Sequence, residues 1–249
     1  MTYKKNKISN SPIYLIGKKS VYDAIKNNLN IDLVCLLKQD KDIYSLAKQG
    51  NIKVEMHSIN WFDTQIGKSV NHQGIVARVL TQNLHKSIDQ LIDKVKDKDK
   101  SLILVLDEIM DPGNFGAILR TSLAANVDGI IYKNNNQAPI NTHVVKASMG
   151  AIFYLDLVVV SNLRYAIQKL QNVGFWSVAS YLGSGSENYK NINIDKMILI
   201  VGNEEKGISP ILVKEADYRV HIPINSQIES LNVSVATGIL LFQYSNLNK

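Results

Sequence analysis

The sequence predicts an α/β protein in two parts, a small N-terminal α/β unit and a larger C-terminal domain built on a parallel, doubly wound sheet. Three observations point there. Up to about Leu80, short β-rich runs alternate with helix-like ones. A run of alternating charge, Lys94 to Lys100, then interrupts the apolar patterning. From Leu102 onward the apolar runs lose period-2 alternation and become continuous, as strands covered on both faces do. With 45% apolar residues in 249, the chain can fill one large core or two modest ones.

The elements follow in order. Ile13-Tyr14-Leu15-Ile16 reads as a strand, Ser20 to Asn27 as a helix, Leu33 to Leu37 as a strand and Asp42 to Lys48 as a helix. Ile52-Lys53-Val54 and Gly74 to Val79 complete a unit of ordinary domain size. Ile88, Leu91, Ile92 and Val95 recur at i, i+3, i+4, i+7 behind Ser87, which predicts a short amphipathic helix with a serine N-cap. That helix falls in residues 83–100, read as a solvated linker between domains at 1–82 and 101–249. In the second domain strands are expected at Leu102 to Leu106, Gly129 to Tyr132, Leu155 to Val160, Trp176 to Ala179 and Met197 to Val201. Helices are expected at Gly116 to Ala125, Leu163 to Gln171, Ser209 to Ala216 and from about Val233 to Tyr244.

Composition narrows the partner. Against 22 Asp+Glu stand 28 Lys+Arg, a net charge of +6. Lys4, Lys5, Lys7, Lys18 and Lys19 concentrate positive charge at the front, so nucleic acid is expected before membrane, although charge alone would equally serve solubility. The single cysteine, Cys35, sits inside the apolar run Leu33 to Leu37 and suits a buried strand position, not a nucleophile; no disulfide framework exists. No apolar stretch approaches a membrane span, and residues 1–12 are basic and polar, so the expected compartment is the cytoplasm.

Several chemistries lack their residues. The five histidines show no metal-ligand spacing, and neither a G-x-S-x-G elbow nor a P-loop occurs. Gly183-Ser184-Gly185-Ser186 lacks the third glycine of a dinucleotide turn and reads as a flexible surface loop. Three segments stand out because each sets polar, turn-forming residues at the C-terminal end of a buried strand, the edge at which open parallel sheets bind ligands. In Asp107 to Arg120, a Pro-Gly turn leads into a helix with Asn114 as its expected N-cap. Arg120, about one turn in, would lean back over the strand edge and make a phosphate-holding corner with the free N–H groups. In Ile198 to Pro210, an apolar strand enters a glycine-bounded turn, and Ser209-Pro210 reads as N-cap and first helical residue. In His221 to Gly238, a strand ending at Pro223 gives way to a polar loop. A closely packing helix rich in small residues follows, capped by Ser230 or Asn232.

Taken in this order, D-P-x-N-x-G-x-x-x-R, G-N-E-x-x-G-I and I-P…S-L-N-V-S-x-A resemble the three motifs of the SpoU branch of the SPOUT RNA methyltransferases. At the front, Ile16 to Ile25 and His72 to Ala77 resemble the ends of that family's N-terminal substrate-binding domain, so nearly the whole chain is covered. The resemblance is nearest to the bacterial enzymes that methylate a guanosine 2′-hydroxyl in 23S rRNA. It implies a homodimer, S-adenosylmethionine as donor, an RNA substrate-binding domain at 1–82 and a C-terminal methyltransferase domain with a trefoil knot. A tRNA methyltransferase of the same family shares the three motifs but typically lacks such a front domain; an inactive RNA-binding protein would not need the motif residues intact.

By motif match the resemblance places Asn114, Arg120, Glu204, Ser230 and Asn232 in the catalytic group, and Gly202, Ile222 and Leu231 around the cofactor. Glu205 and Ser226 depart from the family pattern, which commonly has glycine at both positions. The resemblance assigns proton removal to Arg120. A guanidinium with a pKa above 12 is a poor base, and stabilisation of the developing alkoxide is the physically simpler role.

Overall fold

The computed structural model describes residues 12–80 and 84–245. The chain divides into two units, at 1–82 and 83–249. In the first, β1 (Ile13–Ile16), α1 (Lys18–Lys26), β2 (Ile31–Leu36), α2 (Lys41–Gln49), β3 (Lys53–Met56), α3 (Ile59–Phe62) and β4 (Ile75–Val79) build a four-stranded sheet in the order β1-β4-β2-β3. β4 runs antiparallel to β1 and β2, whereas β2 and β3 are parallel. Asp40 caps α2 by accepting from the Ile43 N–H at 3.1 Å. Tyr14, Leu33, Cys35, Phe62, Ile66 and Val76 fill a compact core. Cys35 is fully buried, and burial pushes its thiol up to about 12, so it is an inert core residue, as the sequence indicated. Residues 59–67 form a short helix passing into a π turn that the sequence pattern did not announce. Lys4, Lys5 and Lys7 lie outside the described residues.

The second unit holds β5 (His85–Lys86), α4 (Ile88–Val95), β6 (Ser101–Asp107), α5 (Pro112–Ala124), β7 (Gly129–Lys133), α6 (Thr142–Ala147), β8 (Leu157–Val160), α7 (Leu163–Gln171), β9 (Trp176–Ser180), β10 (Glu187–Asn188), β11 (Lys196–Gly202), α8 (Pro210–Glu215), β12 (Tyr218–His221) and α9 (Val233–Tyr244). Its sheet has eight strands in the order β10-β12-β9-β11-β6-β7-β8-β5, all parallel. The chain runs outward from β6 through β7 to β8, then crosses for β9, and β11 returns between β9 and β6.

Both faces of the sheet are covered, which is why alternation vanishes from the sequence. Ile103, Val105, Ile198 and Ile200 pack with Leu91 and Val95 of α4, Leu163 and Leu170 of α7 and Leu212 of α8. On α5, Phe115 meets Tyr132 of β7 with ring centroids 5.5 Å apart. Gly116 is the point where α5 touches α6, since a Cβ there would overlap that of Ala147.

The expected linker needs correction. Residues 83–100 carry β5, paired with β8, and α4, whose Leu91 and Val95 are buried in the second core. The helix and its Ser87 cap are present, with a full capping box through Gln90. The charged tail Lys94 to Lys100 is a tether as well as a solvated face, because Lys94 reaches Asp156 at 2.6 Å and Lys98 pairs with Asp128.

Candidate active site

Parallel strands end together, and here Ser180 of β9, Gly202 of β11 and His221 of β12 finish side by side at the C-terminal edge. A cleft of about 710 Å³ opens above them. Gly202, Ile222 and Leu231 line it, together with Glu204 and Ser230. Gly202 has to be glycine, because a Cβ there would overlap the Gly207 carbonyl and the Ile208 nitrogen. The turn that makes this approach is tight: Asn203 and Gly207 exchange backbone hydrogen bonds of 3.0 and 2.9 Å. The Asn203 side-chain oxygen accepts from the N–H groups of Glu205 and Lys206. Glu205 is exposed on that turn, so its departure from glycine costs no packing. Ser226 is likewise exposed.

Three of the sequence-predicted residues from three distant segments form one chain of hydrogen bonds. Asn114 Nδ2 donates to Glu204 Oε1 at 2.7 Å, and Asn232 Nδ2 donates to Asn114 Oδ1 at 3.0 Å. Asn232 also caps α9, its Oδ1 accepting from the N–H groups of Ser234 and Val235, which decides the sequence's choice between Ser230 and Asn232.

The expected cap of α5 is overturned. Asp111, not Asn114, is the N-cap, accepting from the Asn114 N–H at 2.6 Å, with Pro112 at the first turn. A carboxylate satisfies the helix dipole better than an amide, and it frees the Asn114 side chain for Glu204 and Asn232.

The phosphate-holding corner is overturned with it. α5 begins at Pro112, so Arg120 lies eight positions on, roughly 12 Å along the axis. Asp111 already occupies the helix N-terminus with negative charge. Arg120 is exposed and does not line the cleft, and its side chain has no hydrogen bond or ion pair among the described residues.

Sequence reasoning passed over the residues beneath this cluster. Asp107 ends β6 almost fully buried, and its Oδ2 accepts from both the N–H and the hydroxyl of Ser209. Its Oδ1 lies 3.2 Å from Lys133 Nζ, an ion pair without an aligned hydrogen bond. Lys133 also reaches Glu108 at 3.1 Å. Burial opposes the Lys133 charge, but the two carboxylates outweigh it and raise the ammonium above its ordinary value. Asn136 and Lys133 hold the Glu108 carboxyl below its own. Glu108 adopts a left-handed backbone (φ 65°), and Asn203 Nδ2 donates to its carbonyl at 3.0 Å. The loops after β6, β7 and β11 are thereby tied together. The available signal was that Asp107 and Lys133 are the charged residues that close two neighbouring apolar strands.

Fold and site define an α/β enzyme domain with its ligand cleft at the carboxyl edge of a parallel sheet, where the strand order reverses. The SpoU rRNA Methylase family matches residues 101–242, and the family of RNA 2′-O ribose methyltransferase substrate-binding domains matches residues 14–84. An uncharacterized tRNA/rRNA methyltransferase of Mycoplasma genitalium is 47% identical over 93% of this chain and 96% of its own length. Among solved structures, the AdoMet-bound rRNA methyltransferase from Sinorhizobium meliloti superposes with a TM-score of 0.79 at 27% identity, over 94% of this chain and 86% of that one. A TrmH/SpoU tRNA-modifying enzyme of A. aeolicus gives 0.54 at 33% identity, over 63% of this chain and 79% of that one. The chain belongs to the SpoU family of RNA methyltransferases. No helix among the described residues is long and apolar enough to cross a membrane.

Proposed function

We propose that this protein is a cytoplasmic, homodimeric enzyme that uses S-adenosylmethionine to methylate the 2′-hydroxyl of a guanosine in 23S rRNA. The observation that carries the reading is that the second and third motif segments line one cleft, with Gly202, Ile222 and Leu231 in its walls, and that the first is hydrogen-bonded to both through Asn114, which joins Glu204 of the cleft to Asn232. The donor set suits an adenosyl group. The segments at 222–224 and 229–231 lie outside helix and strand, so their backbone donors and acceptors are not committed to helix or sheet bonds, and Val201, Ile208, Ile222, Leu231 and Val233 give the cleft apolar surface beside them. When bound, the cofactor supplies an electrophilic methyl group for in-line displacement.

The residues then divide the work. Gly202, Ile222 and Leu231 hold the cofactor mainly through main-chain groups. Asn114, Glu204 and Asn232 fix the loop geometry and present polar atoms toward the acceptor ribose, with Ser230 beside them. Arg120 lies outside the cleft lining and its side chain is unpaired among the described residues; in this reading its guanidinium stabilises the negative charge that develops on the ribose oxygen. The reading includes the knotted chain end that the resemblance implies, with α9 packed on α5 where a Cβ on Gly238 would meet Thr121 at 3.5 Å. An rRNA substrate is favoured over tRNA because the likeness to the rRNA enzyme spans 94% of the chain, against 63% for the tRNA enzyme. The match of residues 14–84 to a ribose-methylase substrate-binding family points the same way.

The test is transfer of labelled methyl from S-adenosylmethionine to unmodified 23S rRNA and, separately, to unmodified tRNA, with mapping of ribose methylation. Label at one guanosine of 23S rRNA is expected, and Arg120→Ala should lower the single-turnover rate at least about 100-fold with cofactor affinity retained. Label in tRNA alone would overturn the substrate, and a near-normal Arg120→Ala rate would remove Arg120 from the chemistry.

A further inference from the structure

Gly183 to Ser186 is a surface loop, as its composition suggests, and it carries specific contacts. Directly after it, β10 pairs with the end of β12, setting Asn188 opposite His221. A Cβ on Gly183 would overlap the Tyr181 ring, so the glycine lets that ring fold back over the loop. The result places Ser186 Oγ 2.8 Å from the Gly183 carbonyl oxygen and 3.0 Å from His221 Nδ1.

This geometry sets the state of the imidazole. A carbonyl oxygen only accepts, so the single hydroxyl proton of Ser186 is donated to Gly183. The hydroxyl then offers His221 a lone pair, and Nδ1 has to carry the ring hydrogen. In the neutral imidazole Nε2 is therefore a bare acceptor. His221 lines the cleft, where the charged neighbours Glu204, Glu205, Lys206 and Glu229 cannot supply an uncharged ring acceptor.

We infer that His221 is a cofactor-contacting residue whose Nε2 accepts a hydrogen bond from an amine or hydroxyl donor of the bound adenosyl group, and that Ser186 is the positioning residue that fixes its tautomer. The inference rests on the S-adenosylmethionine reading of the cleft. It gives the segment after β9 a function that no motif assigns.

Two measurements on the full chain test it. Nitrogen-15 NMR of the histidine rings should show His221 protonated at Nδ1 in the wild type and shifted toward the Nε2-protonated form in Ser186→Ala. An Nε2-protonated wild type would overturn the inference without any variant. Calorimetric titration with S-adenosylmethionine should show His221→Asn, which keeps a polar group near the Nδ1 place and loses Nε2, binding about three- to tenfold more weakly. His221→Gln, whose side-chain oxygen can reach the Nε2 place, should recover most of that loss. Equal affinity of His221→Asn and wild type would overturn the contact. Absence of any binding by the wild type would overturn the cofactor reading itself, and this inference with it.

Discussion

The two units put their polar side chains to different ends. In the N-terminal unit the firmest polar contact lies within the sheet: Arg78 on β4 grips Asp32 on β2 with Nε to Oδ1 at 2.9 Å and Nη2 to Oδ2 at 2.6 Å. The β2–β4 register shifts between Ile31 and Leu33, so Asp32 is the extra residue of a bulge and Arg78 holds that bulge in place. In the C-terminal unit helices cover both faces of the sheet, and the strands have no room for such a pair. Their polar chemistry is displaced to the ends, where Asp107, Lys133, Asn203 and Ser209 join loops. Where Asp32 and Arg78 stay about one-third exposed, a sheet can hold an ion pair for its register; strands buried along their length export their charges to the edge where ligands bind.

The largest effect on that contrast comes from Asp107→Ala. The change removes both bonds to Ser209 and leaves Lys133 with Glu108 alone, and the expected loss is about 3 kcal/mol. The chain has two tryptophans, Trp61 in the first unit and Trp176 in the second, so variants keeping one of them report each unit separately. Urea unfolding should shift the Trp176 transition and leave the Trp61 transition in place. Equal shifts would show that the two units do not divide their polar contacts as described.

How much of this was legible in the sequence follows from the same contrast. Leu102 to Leu106 and Met197 to Val201 announced buried parallel strands because nothing polar interrupts them, and α9 came out at Val233–Tyr244, the range its pattern suggested. The short edge strands β5 and β10, two residues each, carry no periodicity to read. α6 escaped because its buried residues, Val144 and Val145, are adjacent and mark no helical stripe. In the site, the motifs picked out Asn114, Glu204 and Asn232, which the fold brings together, but not the bonds that join them. The Asp111 cap was hidden because Asp and Asn serve equally well as caps on sequence grounds. Contacts such as Asp107 with Ser209 or Ser186 with His221 span 102 and 35 residues, and local pattern is blind to them.

A smaller effect is expected at the middle of the polar chain. Asn114→Ala disconnects Glu204 from Asn232 without touching the cleft wall or the Asn232 cap of α9. On the proposed function, single-turnover methylation should fall about tenfold while S-adenosylmethionine affinity stays within about twofold. A loss of affinity matching the loss of rate would mean that the chain serves the cofactor, not the acceptor ribose. That outcome would sharpen the comparison, because the exported polar groups would then be holding walls, not presenting atoms.

The smallest effect tests the register side. Asp32→Asn keeps the shape of the bulge but removes the charge facing Arg78. Both side chains are about one-third exposed, so the expected cost at neutral pH is below about 1 kcal/mol, read from Trp61. The hydrogen bond from Arg78 holds the Asp32 carboxyl below its ordinary value. A depressed folded-state value makes the stabilisation complete above the unfolded-state value near 4 and lost as pH falls through the lower, folded one. The wild type and Asp32→Asn should therefore differ at pH 7 and converge as the medium is taken below about pH 4. A gap that persists in acid would mean that the bulge is held by its backbone and packing, and that the guanidinium merely rests on it.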